Sequence, residues 1–590
     1  MKLRIHSYLM ACLLFTVLLF PASSFSEETA VLPKLVLVSV DSLDPAVMSL
    51  NSHGESSGKP GDWLLPNIRE FLENSVWFEN SRCWLPAATD MNHLNAVAGT
   101  TSALTGIIGV SKQFKEWDKN GKAIYQNTSM SYSKDDKGRP VDTIFKAFKR
   151  KYPGSKIMFA SGKGWVATMF DVPGSGIDFF VTGLNHPDYV KKPWSWDFNP
   201  KDERNEKGFC ARKSFFQKRF LSVAFKGHEE RFPPDSWVVD ASLTVMKEEK
   251  PDVSMIILAE MDDLQHALGS IRTPDEFEKN CCVVKDKRNP SVHRPPVVAA
   301  MRLVDDEFGE FLKGIRSIPG YEDALVVLYS DHGHMSYSET IDSNIYSSLS
   351  TDFIDILYKY RAITKEEKKG KGFTVNSIAS VGEIYFQAAS LDERRTKATL
   401  AKAALDAYRI KNPITGNYEC PFTLATMEEM RIGIPGVLEP GELYHSYFAD
   451  NNGPENLFWP DIFIFMKNGW QLPVTTGIAN NLGAKLPTWL PPLNYLLGGH
   501  GAQDTAPIVM AFQGGGIPGA KIITDTGYKN NYRISDIALT LCAIYGFELN
   551  STTKGINRFE DLGLSSKNPG DKLEKPLDSV QPAVSNSVLH

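Results

Sequence analysis

Four short apolar runs recur along the chain, at residues 34–40 (KLVLVSV), 253–259 (VSMIILA), 324–329 (ALVVLY) and 506–512 (APIVMAF). Each is continuous rather than alternating and rich in β-branched residues, the pattern of a strand covered on both faces. They are therefore expected to be buried parallel strands. Helix-compatible segments lie between them, among them 66–74 and 299–315. Strand and helix in this alternation predict an α/β protein with helices on both faces of a mostly parallel sheet.

Two stretches break the pattern. Residues 185–245 are polar, aromatic and charged, with no clean period. A more regular unit follows from about residue 375. There, 382–387 reads as a strand, Ser390-Leu391-Asp392-Glu393 has capping-box spacing, 398–407 continues as helix, and 420–426 reads as a returning strand. This predicts a small α/β subdomain, about 375–430, inserted in the main one. Residues 565–590, rich in Pro, Ser, Lys and Asp, read as a disordered tail.

The other end of the chain carries a different signal. Lys2 and Arg4 precede an uncharged run, 8–20, then Pro21 and small residues up to Ser26. That is the layout of a secretory signal peptide, 1–26, cleaved after Ser26. The run is shorter than the roughly 20 apolar residues that cross a bilayer. A secreted or periplasmic protein with no stable membrane span is expected, its catalytic domain at 27–564. Loss of the leader removes Cys12 from the seven cysteines and leaves Cys83, Cys210, Cys281, Cys282, Cys420 and Cys542. No CxxC pair exists among them, so a structural zinc knuckle is not supported. Export allows a disulfide joining Cys210 to the Cys281-Cys282 pair; free buried thiols are the alternative.

Charge changes the picture little. A formal net charge of −6 over 590 residues gives no broad basic field. No dense Lys/Arg run with interleaved aromatics is present, so binding of a nucleic-acid polymer is not expected. A nucleotide-sized substrate stays open.

The chemistry gathers at strand ends. Asp41 follows the first run, Asp262 lies just past the second, and Asp331 follows the third. Ligands of open parallel sheets bind outside the carboxyl ends of the strands. A single Asp at a strand end is more often a turn or N-cap residue than a ligand. Three acids on one crest, each with a His or hydroxyl nearby, call for a cation. Asp262-x-x-x-His266 sets carboxylate and imidazole one helical turn apart. Asp331-His332-Gly333-His334 places adjacent ligands on a tight turn, and Gly498-Gly499-His500-Gly501 exposes a His among glycines. His53, His186, His228, His293 and His445 read as bystanders. Mixed carboxylate and imidazole donors suit zinc and its neighbours better than calcium or magnesium. In Pro86-Ala87-Ala88-Thr89-Asp90-Met91-Asn92-His93, a hydroxyl at a helix start would have its alkoxide favoured by the dipole and free N–H groups. Thr is equally a common N-cap, and spacing alone leaves the two open.

These blocks resemble the alkaline phosphatase superfamily and, within it, the type I phosphodiesterase and nucleotide pyrophosphatase family. Thr89, Asn92, Gly99 and Gly106 reproduce the spacing of that family's nucleophile block. Asp262/His266, Asp331/His332/Gly333 and Gly498-Gly499-His500-Gly501 match its remaining blocks in order. The resemblance implies an alkaline-phosphatase-like three-layer α/β/α sandwich. It implies one metal on Asp262, His266 and His500, and another on Asp41, Asp331 and His332 with Thr89 as exchangeable ligand, zinc in both. Asn92 would donate a hydrogen bond to a non-bridging phosphoryl oxygen. The reaction implied is hydrolysis of a small phosphate ester or nucleotide-like substrate, at a phosphodiester or pyrophosphate bond, through a covalent phosphothreonine. Two cations about 4 Å apart would clamp the attacking and leaving oxygens.

Relatives with other activities divide on few residues. Sulfatases need Cys or Ser in a C/S-x-P-x-R context, which the Thr89 block lacks. A phosphonate hydrolase stays compatible with Thr followed three residues later by Asn. Some Thr-dependent monoesterases recognise a terminal phosphate with Lys-x-Arg. Here Ser161-Gly162-Lys163-Gly164-Trp165 offers Lys163 for substrate binding, but Trp165 where Arg is expected. Losing a bidentate guanidinium weakens a dianion's binding more than a diester's. An inactive metal-binding scaffold would have lost a ligand or the nucleophile, and none is missing.

Overall fold

Along the first strand, successive side chains point to opposite sides of the sheet, and both sides are buried. Leu35 and Leu37 join one apolar cluster; Val36, Val38 and Val40 join another. That division is what a continuous apolar run requires. The computed structural model describes residues 32–564 apart from 56–57, 111, 183–195, 198–233, 269, 271–284, 287–288, 294, 337–353, 379, 412–416, 446–458, 468–469, 471–497 and 525–531. The leader 1–26, the tail 565–590, most of 185–245, and Cys210, Cys281 and Cys282 lie outside the described residues. Cys83, Cys420 and Cys542 are free thiols.

In chain order the strands of the two larger sheets are β1 (Leu35–Val40), β2 (Val76–Phe78), β3 (Ile157–Ser161), β4 (Phe179–Thr182), β5 (Trp196–Asp197), β6 (Val253–Leu258), β7 (Leu325–Tyr329), β8 (Phe373–Ile378), β9 (Val381–Phe386), β10 (Phe422–Thr426), β11 (Ile462–Met466), β12 (Met510–Gln513) and β13 (Lys521–Ile523). The main sheet has the order β13-β2-β12-β7-β1-β6-β3-β4-β5. Pairing is parallel from β7 across to β5 and between β2 and β13. β12 runs antiparallel to both of its neighbours. Residues 506–512, expected as a parallel strand, thus contribute a shorter and antiparallel one. A continuous apolar run reports burial on both faces and says nothing about direction.

The longer helices are α1 (Pro66–Glu73), α2 (Thr89–Ala98), α3 (Ile144–Lys151), α4 (Gly164–Phe170), α5 (Asp235–Glu249), α6 (Glu260–Leu268), α7 (Pro295–Arg316), α8 (Leu391–Asp406) and α9 (Asp536–Tyr545). Met91, Phe145, Val166 and Leu541 bring α2, α3, α4 and α9 to one face of the sheet. Ile68, Val238 and Phe308 bring α1, α5 and α7 to the other, completing three layers. The end of the aperiodic stretch 185–245 is therefore helical from Asp235 onward. Among the described residues, no helix is long and apolar enough to cross a membrane.

The second sheet is antiparallel, in the order β8-β9-β11-β10. Ile384, Phe386, Leu424, Ile462 and Ile464 pack with Ala398, Ala401 and Leu405 of α8. Val381, Ala425, Phe463 and Phe465, on the alternate positions, join the main core instead. At the start of α8 the Ser390 side chain accepts from Glu393 N at 3.1 Å, and Glu393 reaches back to Ala389 N at 2.9 Å. The β8–β9 turn bears on the site: Ser380 N donates to His500 O at 3.1 Å, and Ala502 N donates to Ser380 Oγ at 2.8 Å.

One buried acid in this unit gives a pH-dependent expectation. Glu383 accepts hydrogen bonds from Asn376 and Tyr385, yet burial pushes its carboxyl up to about 7 against those bonds. A raised folded-state value contributes stability at acid pH that is lost as pH rises from the unfolded value through about 7. Glu383→Gln should therefore raise the melting temperature relative to wild type at pH 8 and change it little at pH 5. The gain is at most about 3 kcal/mol. Thermal melts at the two pH values check this; an equal shift at both would show that ionisation is not the cause.

Candidate metal centre and nucleophile

β7, β1 and β6 are adjacent and parallel, so their carboxyl ends open on one crest. Asp41 N donates to Leu258 O at 2.9 Å, holding the end of β1 against that of β6. The Asp235 carboxylate accepts from Ala259 N at 2.7 Å and Glu260 N at 3.1 Å, fixing the start of α6, which carries Asp262 and His266. Ser42 takes a left-handed conformation, φ 68°, uncommon without glycine. From it, Ser42 N reaches Asp331 Oδ1 at 3.2 Å and Ser42 Oγ reaches Asp262 Oδ1 at 2.5 Å. Ser42 thus ties two of the three acids together.

Two donor groups result. Asp41, Asp331 and His332 form one; Asp262, His266 and His500 form the other, with the donor atoms of each within 4.8 Å of one another. The six carboxylate and imidazole residues expected as ligands fall into these groups, in the expected division. The His332 and His500 rings stack at 3.7 Å, so the groups adjoin. His332 Nδ1 lies 2.9 Å from Gly333 O, and His500 Nδ1 lies 2.9 Å from Ala87 O. With the proton held on Nδ1, each Nε2 is left as a donor, the usual way a neighbouring carbonyl orients a ligating imidazole.

Thr89 is the first residue of α2 and lies beside the Asp41 group. Its Oγ1 is 3.2 Å from His332 Nε2 and 3.4 Å from Lys163 Nζ. Lys163 enters from the end of β3 and is fully buried. Its Nζ sits 2.7 Å from Asp41 Oδ2 and 2.6 Å from Asp262 Oδ2, bridging one carboxylate from each group. Burial disfavours its ammonium, but Asp262 and Asp41 overcome this and hold it well above its ordinary pKa. Burial likewise pushes up Asp262 and Asp331; Lys163 and His266 pull the first, and His332 and His93 the second, well below the carboxylate range. Asp41 stays raised, by burial and by Asp331 beside it.

Asn92, expected to donate to a phosphoryl oxygen, bonds to the loop before α2. Its Nδ2 donates to Trp84 O, Pro86 O and Ala88 O at 3.0, 3.1 and 3.3 Å, and its Oδ1 accepts from Trp84 N at 3.1 Å. These bonds pin the loop that leads into Thr89. Two further imidazoles adjoin the site. His93, one turn after Thr89 on α2, has Nε2 3.9 Å from Asp41 Oδ2 and 3.7 Å from Asp331 Oδ2. Its four-residue spacing from Thr89 was the signal that could have found it. His334 lies beside the Asp262 group, with Nε2 3.7 Å from Asp262 Oδ1.

The residues present fit divalent cations. Three buried carboxylates face the Lys163 ammonium and the His332 ring. Burial disfavours the imidazolium, but Asp331 and Asp41 push its pKa up to about 9, so positive charge is drawn into the place a cation would take. Asp41 Oδ1 and Asp331 Oδ2 take no hydrogen bond of acceptable geometry. The His266 side chain is 33% exposed whereas the His500 side chain is 6% exposed, so the site opens to solvent beside His266.

Carboxylates and imidazoles on the crest of a mostly parallel sheet, beside a threonine at a helix start, make a candidate metal centre on an α/β fold. The chain belongs to the type I phosphodiesterase / nucleotide pyrophosphatase family, whose sequence profile matches residues 35–484. Comparison with curated proteins gives no match. Among solved structures, murine ectonucleotide pyrophosphatase / phosphodiesterase 5, alone and as an inactive threonine-to-alanine form in complex with AMP, aligns at 15% identity with a TM-score of 0.48. The human protein of the same name gives the same values, and each alignment covers 90% of this chain and 99% of the other.

Proposed function

We propose that this chain is an exported hydrolase, freed of residues 1–26, that cleaves a phosphodiester or pyrophosphate bond in a small, nucleotide-like substrate with Thr89 as nucleophile. Two divalent cations, zinc by the donor chemistry, would be held by Asp262, His266 and His500 and by Asp41, Asp331 and His332. One observation carries the reading: Thr89 Oγ1 lies 3.2 Å from His332 Nε2 of one donor group and 3.4 Å from Lys163 Nζ, which reaches a carboxylate of each group. Family membership points to the same bond class.

Bound there, the cations would neutralise charge on the attacking and leaving oxygens of an in-line displacement. Thr89 Oγ1 bonds to phosphorus as the bond from phosphorus to the leaving oxygen breaks, giving a phosphothreonine that keeps the other substituent of a diester. Water then cleaves this bond and returns the Thr89 hydroxyl, so one hard step becomes two easier ones. Lys163 Nζ, 3.4 Å from Thr89 Oγ1, is within reach of the phosphoryl oxygens as they gain charge. Asn92, by holding Trp84, Pro86 and Ala88, keeps Thr89 in register with both groups.

The same lysine favours a second reading, a phosphomonoesterase. An ammonium beside the nucleophile suits a terminal phosphate, although Trp165 stands where a guanidinium would complete the grip. Turnover of p-nitrophenyl phosphate, bis-p-nitrophenyl phosphate, a phenylphosphonate ester and a dinucleotide by the zinc-loaded protein separates the readings. The diester is expected to lead the monoester in kcat/KM by at least about tenfold, or ~1.4 kcal/mol. A faster monoester selects the second reading, and a faster phosphonate ester a phosphonate hydrolase. Two bound metals with no turnover of any ester would leave only a binding scaffold.

A further inference from the structure

We propose that His334 is a fourth protein donor to the cation held by Asp262, His266 and His500, an inference that rests on the two-cation reading above. The backbone brings it there. Met335–Ser336 pairs antiparallel with Gly498–Gly499, Met335 opposite Gly499, and the same register sets His334 opposite His500. Gly333 permits the approach: its N–H donates to Thr505 O at 2.7 Å, and a Cβ there would come within 2.6 Å of Asp44 Oδ2. Glycine leaves this approach unhindered, and the passage sets His332 in one donor group and His334 beside the other.

The side chain then has nothing else to do. His334 is fully buried, and among the described residues neither ring nitrogen has a hydrogen-bond partner. A buried imidazole left without partners is costly. Its Nε2 is turned toward Asp262 Oδ1 at 3.7 Å, too long for a hydrogen bond, and it stands just outside the three donors that lie within 4.8 Å of one another, so sharing their ion requires the ring to close in. Its ring centroid lies 4.8 Å from that of His266 and 5.9 Å from that of His500. Ser270 Oγ, which also bonds Gln265 Oε1 at 2.8 Å, lies 3.1 Å from His334 O and anchors this segment beside α6.

Three imidazoles and one carboxylate would fill a tetrahedral ion, whereas a catalytic ion keeps a position open. The inference therefore requires five-coordination at this site, with one place for an exchangeable ligand, while the Asp41 group keeps three protein donors.

The test is metal titration of the full metal-free chain, as wild type, His334→Ala and His334→Leu; leucine fills similar space but offers no donor. Cobalt(II) is followed by its visible absorption and zinc by competition with a chromophoric chelator, with circular dichroism to verify folding. Wild type should bind two ions. Both variants should still bind two, one of them at least about tenfold more weakly. The cobalt absorption of that ion should rise as five-coordination gives way to four. Variants with wild-type affinities and spectra at both sites overturn the role of His334 and leave the two-cation reading standing. A wild-type chain that binds no ion overturns both.

Discussion

Thr89→Ala should lower turnover of bis-p-nitrophenyl phosphate by about 10⁴-fold or more while the protein still binds two metal ions. The size follows from removing the atom that bonds to phosphorus, since no other hydroxyl is assigned to replace it. Metal retention follows because the six donors of the two groups exclude Thr89. The fold should also survive. The residue capping α2 is Ala88, which makes no side-chain hydrogen bond, so the Thr89 hydroxyl does no capping. A structural threonine would lose stability on substitution and keep its rate; a nucleophile loses rate and keeps stability. Kinetics, elemental analysis and a thermal melt on one preparation distinguish the two, and unchanged turnover would remove Thr89 from the mechanism.

Removing the metals should abolish turnover and lower the melting temperature, both reversibly on adding zinc. Ligands that bind only the folded state stabilise it by about 4 kcal/mol at a thousandfold excess over Kd, and two sites act together. Asp41, Asp262 and Asp331 are each at most 2% exposed, so without cations their repulsion falls on a region water cannot relieve. Lys163, bridging Asp41 and Asp262, offsets part of this, and the metal-free chain should stay folded at a lower melting temperature. Melts with chelator, and after zinc is restored, check the expectation. Identical curves would mean that the groups hold no tightly bound ion.

The parts of this site legible in the sequence are those whose signal is local. β1, β6 and β7 read as buried strands because each is a short apolar run, and the acids at their ends follow within a few residues. Asp262 and His266 are one turn apart on α6, and Asp331 and His332 are neighbours, so spacing alone paired them. Their division into two groups came from the family resemblance, because it depends on strand order across the sheet. The direction of β12 was not legible, since an apolar run looks alike either way. Nor was the left-handed turn at Ser42, which joins Asp331 to Asp262 through backbone geometry at a residue of ordinary type. Asn92 carries the spacing of the nucleophile block, yet only the fold shows its amide engaged with Trp84, Pro86 and Ala88. Lys163 was legible as a candidate for substrate binding but not as the bridge between two carboxylates far apart in sequence.

The central claim is covalent catalysis by Thr89, and mass spectrometry of an acid-quenched reaction tests it most directly. Zinc-loaded protein is mixed with excess bis-p-nitrophenyl phosphate, quenched within a turnover, digested and fragmented. The p-nitrophenyl phosphoryl adduct is expected on Thr89 alone and absent from Thr89→Ala. A protein that turns over under the same conditions with its adduct on another residue would contradict the assignment.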